Sequence, residues 1–191
     1  MKLFLFFLVI VSHQLFSQAV RSNESLWDQI RLNSKLQYDS DRSEIANASE
    51  KYIGNQYLIN RLSKNGQRYL YYTVKEGLRK NLPVELSLIP FVESQFDPYA
   101  RSATGASGIW QFIPSTAKEN GLKKNWWYDG RRDIVASTEA AYGFLSKLYE
   151  RYGDWLIAIA AYNAGPSRIR KEIEKNKKKG LPTDFWSLNL P

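Results

Sequence analysis

The chain is 191 residues long, carries a formal charge of +8, and contains no cysteine, one histidine and one methionine. The methionine is Met1 and the histidine is His13, inside a segment read below as an export signal, so the mature chain is expected to hold no Cys, His or Met. That excludes a thiol nucleophile and a Ser-His-Asp triad and removes the usual ligands of zinc, haem and iron–sulfur centres, so neither metal nor cofactor is expected.

Lys2 followed by the apolar run Leu3 to Val11 has the pattern of a signal peptide, too short to span a bilayer as a helix. Small residues at Ser17 and Ala19 offer cleavage points. Residues 1–19 are therefore expected to be removed, leaving an exported protein of the periplasm or cell envelope with no transmembrane segment. About 170 mature residues suit one domain of ordinary size, and 43% apolar residues argue against disorder.

Residues 20–68 read as a polar lead-in with one or two helices. From Gln56 the pattern turns helical, marked by Leu58, Leu62, Tyr69, Tyr72, Val74 and Leu78, with a turn expected at Lys64-Asn65-Gly66-Gln67 and a helix end near Lys80. Pro83 suits the first turn of a new helix. In it Leu82, Leu86, Ile89 and Glu93 share one face at spacings of 4, 3 and 4, and Leu88, Phe91 and Val92 make the other faces apolar. This is the pattern of a central buried helix, with a kink expected at Pro90.

Arg101 to Gly108 is a loop of small residues, Ile109 to Ile113 is short and apolar with Gln111 at its centre, and Pro114 opens a short helix ending at Gly121. Asn125 to Gly130 (NWWYDG) is an aromatic loop. Asp133 caps a helix that stops at Gly153, Asp154 caps the all-round apolar Trp155 to Ala161, and Pro166 opens a basic helix. No period-2 strand stands out, so the fold class is all-α. Between Arg168 and Lys179 seven lysines and arginines face two glutamates. Such a run is either a solvated helix end or a patch for an anionic polymer; no nucleic-acid motif accompanies it. The 6 Trp, 12 Tyr and 9 Phe serve core packing, or line a groove for sugars or nucleobases.

Acid–base chemistry is left to Asp, Glu, Tyr and Lys. Glu93 stands out because it is embedded in LIPFVES, where desolvation raises a carboxyl pKa towards the range of a general acid. The alternative is a structural carboxylate satisfied by backbone donors. Asp97 reads as a turn residue before Pro98, and Glu85 is the poorer candidate because eight residues of helix rotate it away from Glu93.

Three blocks follow in order: Glu93-Ser94 with Pro98 and Ser102, then Gly108-Ile109-Trp110-Gln111-Phe112, then Ala161-Tyr162-Asn163-Ala164-Gly165. Together they resemble the soluble lytic transglycosylase (SLT) domain family, murein-cleaving enzymes with a lysozyme-like fold, and in particular its membrane-bound transglycosylase D branch. The likeness runs from about Tyr69 to Phe185, with a catalytic domain expected over 69–179 and a tail over 180–191. It implies an all-α lysozyme-like domain with a groove for peptidoglycan strands. It also implies cleavage of the bond between N-acetylmuramic acid and N-acetylglucosamine with formation of 1,6-anhydro ends, Glu93 as the single acid/base, and Ser94, Gln111, Tyr162 and Asn163 as substrate-binding residues. The family continues past the Thr183-Asp184-Phe185-Trp186 segment into a helix bearing a tyrosine that approaches the catalytic glutamate. The sequence here stops at Pro191, so one wall of the groove is expected to be incomplete. A goose-type muramidase using water as acceptor, and a non-catalytic wall-binding module, share this pattern as alternatives.

Overall fold

The structure, a computed structural model, describes residues 25–36, 42–43, 45–47, 55, 57, 60 and 64–190. The expected signal peptide and the markers Leu58 and Leu62 lie outside the described residues. Backbone contacts divide the chain into two units, with the boundary between Ala141 and Tyr142 inside one long helix. Among the described residues there is no β-strand, only three isolated bridges, and no helix is long and apolar enough to cross a membrane.

The first unit opens with α1, Leu26–Leu32, started by a capping box in which the Ser25 hydroxyl and the Asp28 carboxylate satisfy each other's backbone N–H groups. Its Ile30 is fully buried. The predicted turn at 64–67 is displaced: residues 64–66 are helical and the turn falls at 67–69. Packing explains the shift. Gly66 is buried, and a Cβ there would lie 2.9 Å from the Phe91 ring, so this glycine serves a close approach and not a turn. Helix α2, Leu70–Arg79, follows, with Leu70, Thr73, Val74 and Gly77 forming its buried stripe at helical spacing. The nearly buried Glu76 at its end is held by a two-pronged bond from Arg79, 2.7 and 2.8 Å.

The central helix is not the continuous kinked helix expected. Val84–Leu88 is a 3₁₀-helix and Ile89–Glu93 a separate short helix, α3, with Pro90 in its first turn. Proline has no N–H to give and its ring would meet the carbonyl four residues back, so it starts a helix here and does not bend one. The burial expectation holds, because every residue from Leu82 to Phe91 is buried.

Among the carboxylates, Glu93 is half-buried. The deeply buried one is Glu85, only 1% exposed. Its Oε1 accepts from the Ser34 hydroxyl, from Lys35 N at 2.9 Å and from Leu36 N at 3.0 Å, so it fastens the segment after α1 to the central helices. Glu85 is thus engaged by the segment after α1, and its surroundings are a structural setting. Glu85→Ala is expected to cost about 2–3 kcal/mol, since two backbone donors and a hydroxyl lose their acceptor; urea unfolding monitored by circular dichroism reads the loss.

Beyond α3 the chain passes through irregular segments and α4, Pro114–Glu119, to α5, Ile134–Tyr152, whose N-terminus is capped by Asp133 through Ala136 N at 2.9 Å. The first unit ends on the buried Ser137, Thr138 and Ala141 of this helix.

In the second unit, α5 buries Tyr142, Leu145 and Leu148. Helix α6, Trp155–Ala164, is capped by Asp154 and buries all six residues from Leu156 to Ala161, as its all-round apolar sequence predicts. Helix α7, Pro166–Lys178, buries Ile169 and Asn176 and leaves its basic residues largely exposed. The Asn176 amide donates to the carbonyls of Pro182 and Ser187, tying down the following segment, where Phe185–Ser187 forms a 3₁₀ turn with Phe185 buried.

Candidate active site

Glu93 is the last residue of α3 and is half-buried. The chain reverses immediately after it. Gln95 and Phe96 both take left-handed backbone angles, φ 55° and 58°, where side chains are rarely found. Local bonds hold this turn: Gln95 N to Phe91 O at 3.2 Å, Phe96 N to Pro90 O at 3.1 Å and Asp97 N to Ser94 O at 3.0 Å. The Phe96 ring is buried edge-on against Phe91, centroids 4.7 Å apart. Burying two aromatic rings offsets the strain, and backbone strain beside a functional group is a recurrent feature of active sites. Asp97 closes the turn by accepting from Tyr99 N at 2.8 Å, the turn role expected of it.

Ser94 joins Glu93 to the second sequence block. Its hydroxyl donates to Ile109 O at 2.9 Å. In that block Ile109, Trp110 and Phe112 are buried, and the Trp110 indole donates to Thr138 Oγ1 at 2.9 Å. Gln111 is half-buried with φ 49°, and its amide nitrogen donates to Gly108 O at 2.8 Å and Ala100 O at 3.3 Å. The first and second blocks are thus stitched together through Ser94. The third block lies in the second unit: Tyr162 is half-buried against Phe144, centroids 5.7 Å apart, and Asn163 is exposed one residue on, in the last turn of α6.

Two features that hold the second block escaped sequence reading. Gly108 has φ 81°, and a Cβ on it would lie 1.7 Å from the carbonyl oxygen of Arg131. Arg131 is 5% exposed and grips Asp129 with two bonds, Nε–Oδ1 at 2.9 Å and Nη2–Oδ2 at 2.6 Å, while its Nη1 donates to the carbonyls of Gly105 and Phe112. One guanidinium therefore clamps both ends of the loop bearing Gln111. A sequence shows Arg131 only as one of two arginines before Asp133, and nothing in its spacing marks it as buried. Among the described residues, no group of three His, Cys, Asp or Glu side chains is placed to hold a metal.

The hydrogen bond from Arg131 holds the Asp129 carboxyl below its ordinary value of 3.8, against the opposing effect of burial. A depressed folded pKa means that the pair's contribution is complete above the unfolded value and is lost as the pH falls through the lower folded one. Asp129→Asn is accordingly expected to cost about 3 kcal/mol at neutral pH by leaving Arg131 buried without its charge partner. The gap to the parent protein should narrow below about pH 4; thermal unfolding across that range measures it.

An all-α domain that sets a glutamate at a helix end and stitches it to a loop locked by glycine and arginine is the class of scaffold this geometry defines. The model of the transglycosylase SLT domain family matches residues 71–184, and the chain belongs to that family. It is 44% identical over 152 residues to the membrane-bound lytic murein transglycosylase D of Escherichia coli (strain K12), covering 79% of this chain and 34% of that protein. It is 31% identical over 108 residues to the membrane-bound lytic murein transglycosylase F of Desulfosudis oleivorans, covering 53% of this chain and 22% of that protein. The chain thus spans about a third or less of the length of these curated relatives.

Proposed function

We propose that this chain is a lytic transglycosylase that cleaves the bond between N-acetylmuramic acid and N-acetylglucosamine in peptidoglycan and leaves 1,6-anhydro ends. The observation that carries the reading is the family match over 71–184, which contains all three sequence blocks, with Glu93 at the end of α3 in the first of them. Glu93 acts as general acid and gives its proton to the glycosidic oxygen as the bond to the anomeric carbon breaks. The 2-acetamido group of the muramyl sugar stabilises the positive centre, so a second carboxylate is not needed. Glu93, now a carboxylate, takes the proton of the 6-hydroxyl as that oxygen bonds to the anomeric carbon, closing the anhydro ring and restoring the acid.

Ser94, Gln111, Tyr162 and Asn163 are the substrate-binding residues in this reading. The amide nitrogen of Gln111 is engaged by Gly108 O, so its carbonyl oxygen is the atom it turns to the sugar. Residues 1–19 act as the export signal that brings the domain, residues 69–179, to the envelope where peptidoglycan lies. Mass spectrometry of digested cell walls tests the reaction: anhydro ends are expected, and reducing ends would assign the chain to the hydrolytic muramidases.

A further inference from the structure

Among the described residues, the most exposed large apolar side chains are Trp127 and Trp126, at 90% and 86%. They stand on an ordered loop. Asn125 Oδ1 accepts from the backbone N–H groups of Trp127 and Tyr128 at 2.9 and 2.8 Å, Asn125 N donates to Tyr128 O at 2.8 Å, and Gly130 N donates to Lys123 O at 2.8 Å. The two indoles meet edge to face, centroids 6.3 Å apart, so their faces point in different directions and stay open. The fold has already met the ordering cost of presenting them, a condition for tight binding.

The loop borders a cavity of about 590 Å³ that is also lined by Pro98, Tyr99 and Arg101. Its charge is one-sided. Asp129 is gripped by Arg131, and Asp133 caps α5 and accepts from the Tyr128 hydroxyl at 3.0 Å. Arg101, Lys124 and Arg132 are exposed and form no ion pair among the described residues; Arg132 gives only Nε, to the Ser107 hydroxyl. Open ring faces together with unpaired cations suit a polymer that carries both flat rings and anionic groups. Pro98 is five residues from Glu93, so their Cα atoms lie within about 18 Å of each other, and one extended strand can reach both.

We propose that the Trp126–Trp127 loop and the cavity it borders form a second contact for the peptidoglycan strand, with sugar rings stacked on the indoles and the carboxylates of the peptide stems paired with Arg101, Lys124 and Arg132. The inference rests on the reading of peptidoglycan as substrate. Nucleic acid, the other polymer with rings and anions, is disfavoured because the cavity adjoins the segment that follows Glu93.

The test is binding by the full chain carrying Glu93→Gln, so that strands stay intact. The probes are soluble glycan strands with peptide stems, the same strands with their stem carboxylates converted to amides, and a single-stranded oligonucleotide. Adding Trp126→Ala and Trp127→Ala should weaken both glycan forms at least tenfold. Adding Arg101→Gln and Lys124→Gln should weaken strands with free stem carboxylates about tenfold and amidated strands less than twofold. All four side chains lie outside the core, so the variants keep the fold, and thermal unfolding checks this. Stem-bearing strands bound within twofold of the parent by the tryptophan variant would overturn the proposal, and so would oligonucleotide bound more tightly than strands through the same tryptophans. Product analysis of the wild-type protein reports separately on the reaction. Anhydro ends with tryptophan-independent binding would remove only the second contact. Tryptophan-dependent binding without anhydro ends would retain the contact and remove only the transglycosylase reading.

Discussion

Glu93→Gln should lower the release of soluble fragments from purified cell-wall sacculi by about a hundred- to ten-thousandfold, the range carried by a positioned acid–base group. The substitution keeps the shape of the side chain and removes only its ability to give and take a proton. Glu93 is half-buried at a helix end and not in the core, and glutamine matches it in size, so the variant should keep the fold, which thermal unfolding checks. Binding to sacculi should persist. That combination separates the enzyme from a wall-binding module: the wild type releases fragments and the variant binds without releasing. Retention of turnover within tenfold would remove Glu93 from the chemistry, and no second carboxylate among the described residues shares its setting. Glu85, eight residues earlier, is already committed to the backbone of Lys35 and Leu36.

Gly108→Ala is expected to have the largest effect on stability, about 4 kcal/mol or more. Two costs combine. The backbone at Gly108 is left-handed, φ 81°, where a side chain is strained, and the added methyl would lie 1.7 Å from a backbone carbonyl that cannot move aside like a flexible side chain. The nearest relief is for the 105–112 loop to lift from Arg131, which would break the bonds from its guanidinium to Gly105 and Phe112 and expose the buried Trp110. Thermal unfolding and tryptophan fluorescence should show both. Gly105 provides the control. It has a similar φ of 82° but open space around its Cβ position, so Gly105→Ala should bear the strain alone and cost markedly less.

Much of the helical frame was legible in the sequence because its signals are local. Asp133 and Asp154 cap the helices they were expected to cap, Pro166 opens α7, and the unbroken apolar run at Leu156–Ala161 is a buried helix. Legibility failed where a distant partner decides. Gly66 looks like a turn residue until Phe91 lies against it, and Pro90 looks like a kink until the preceding turn is seen to be 3₁₀. The candidate site divides in the same way. The three blocks could be read as motifs, but what holds the second block could not. Arg131 reaches carbonyls 19 and 26 residues earlier in the chain, a separation that no periodicity encodes.

The Arg131–Asp129 clamp has a further consequence for a chain without cysteine. It does the work that a covalent cross-link does in many exported proteins, joining a turn to both ends of a loop. A disulfide is undone by reductants and indifferent to acid; this clamp has the opposite sensitivities. The loop should therefore stay anchored whatever the redox poise of its surroundings, and acidification should be the condition that loosens it.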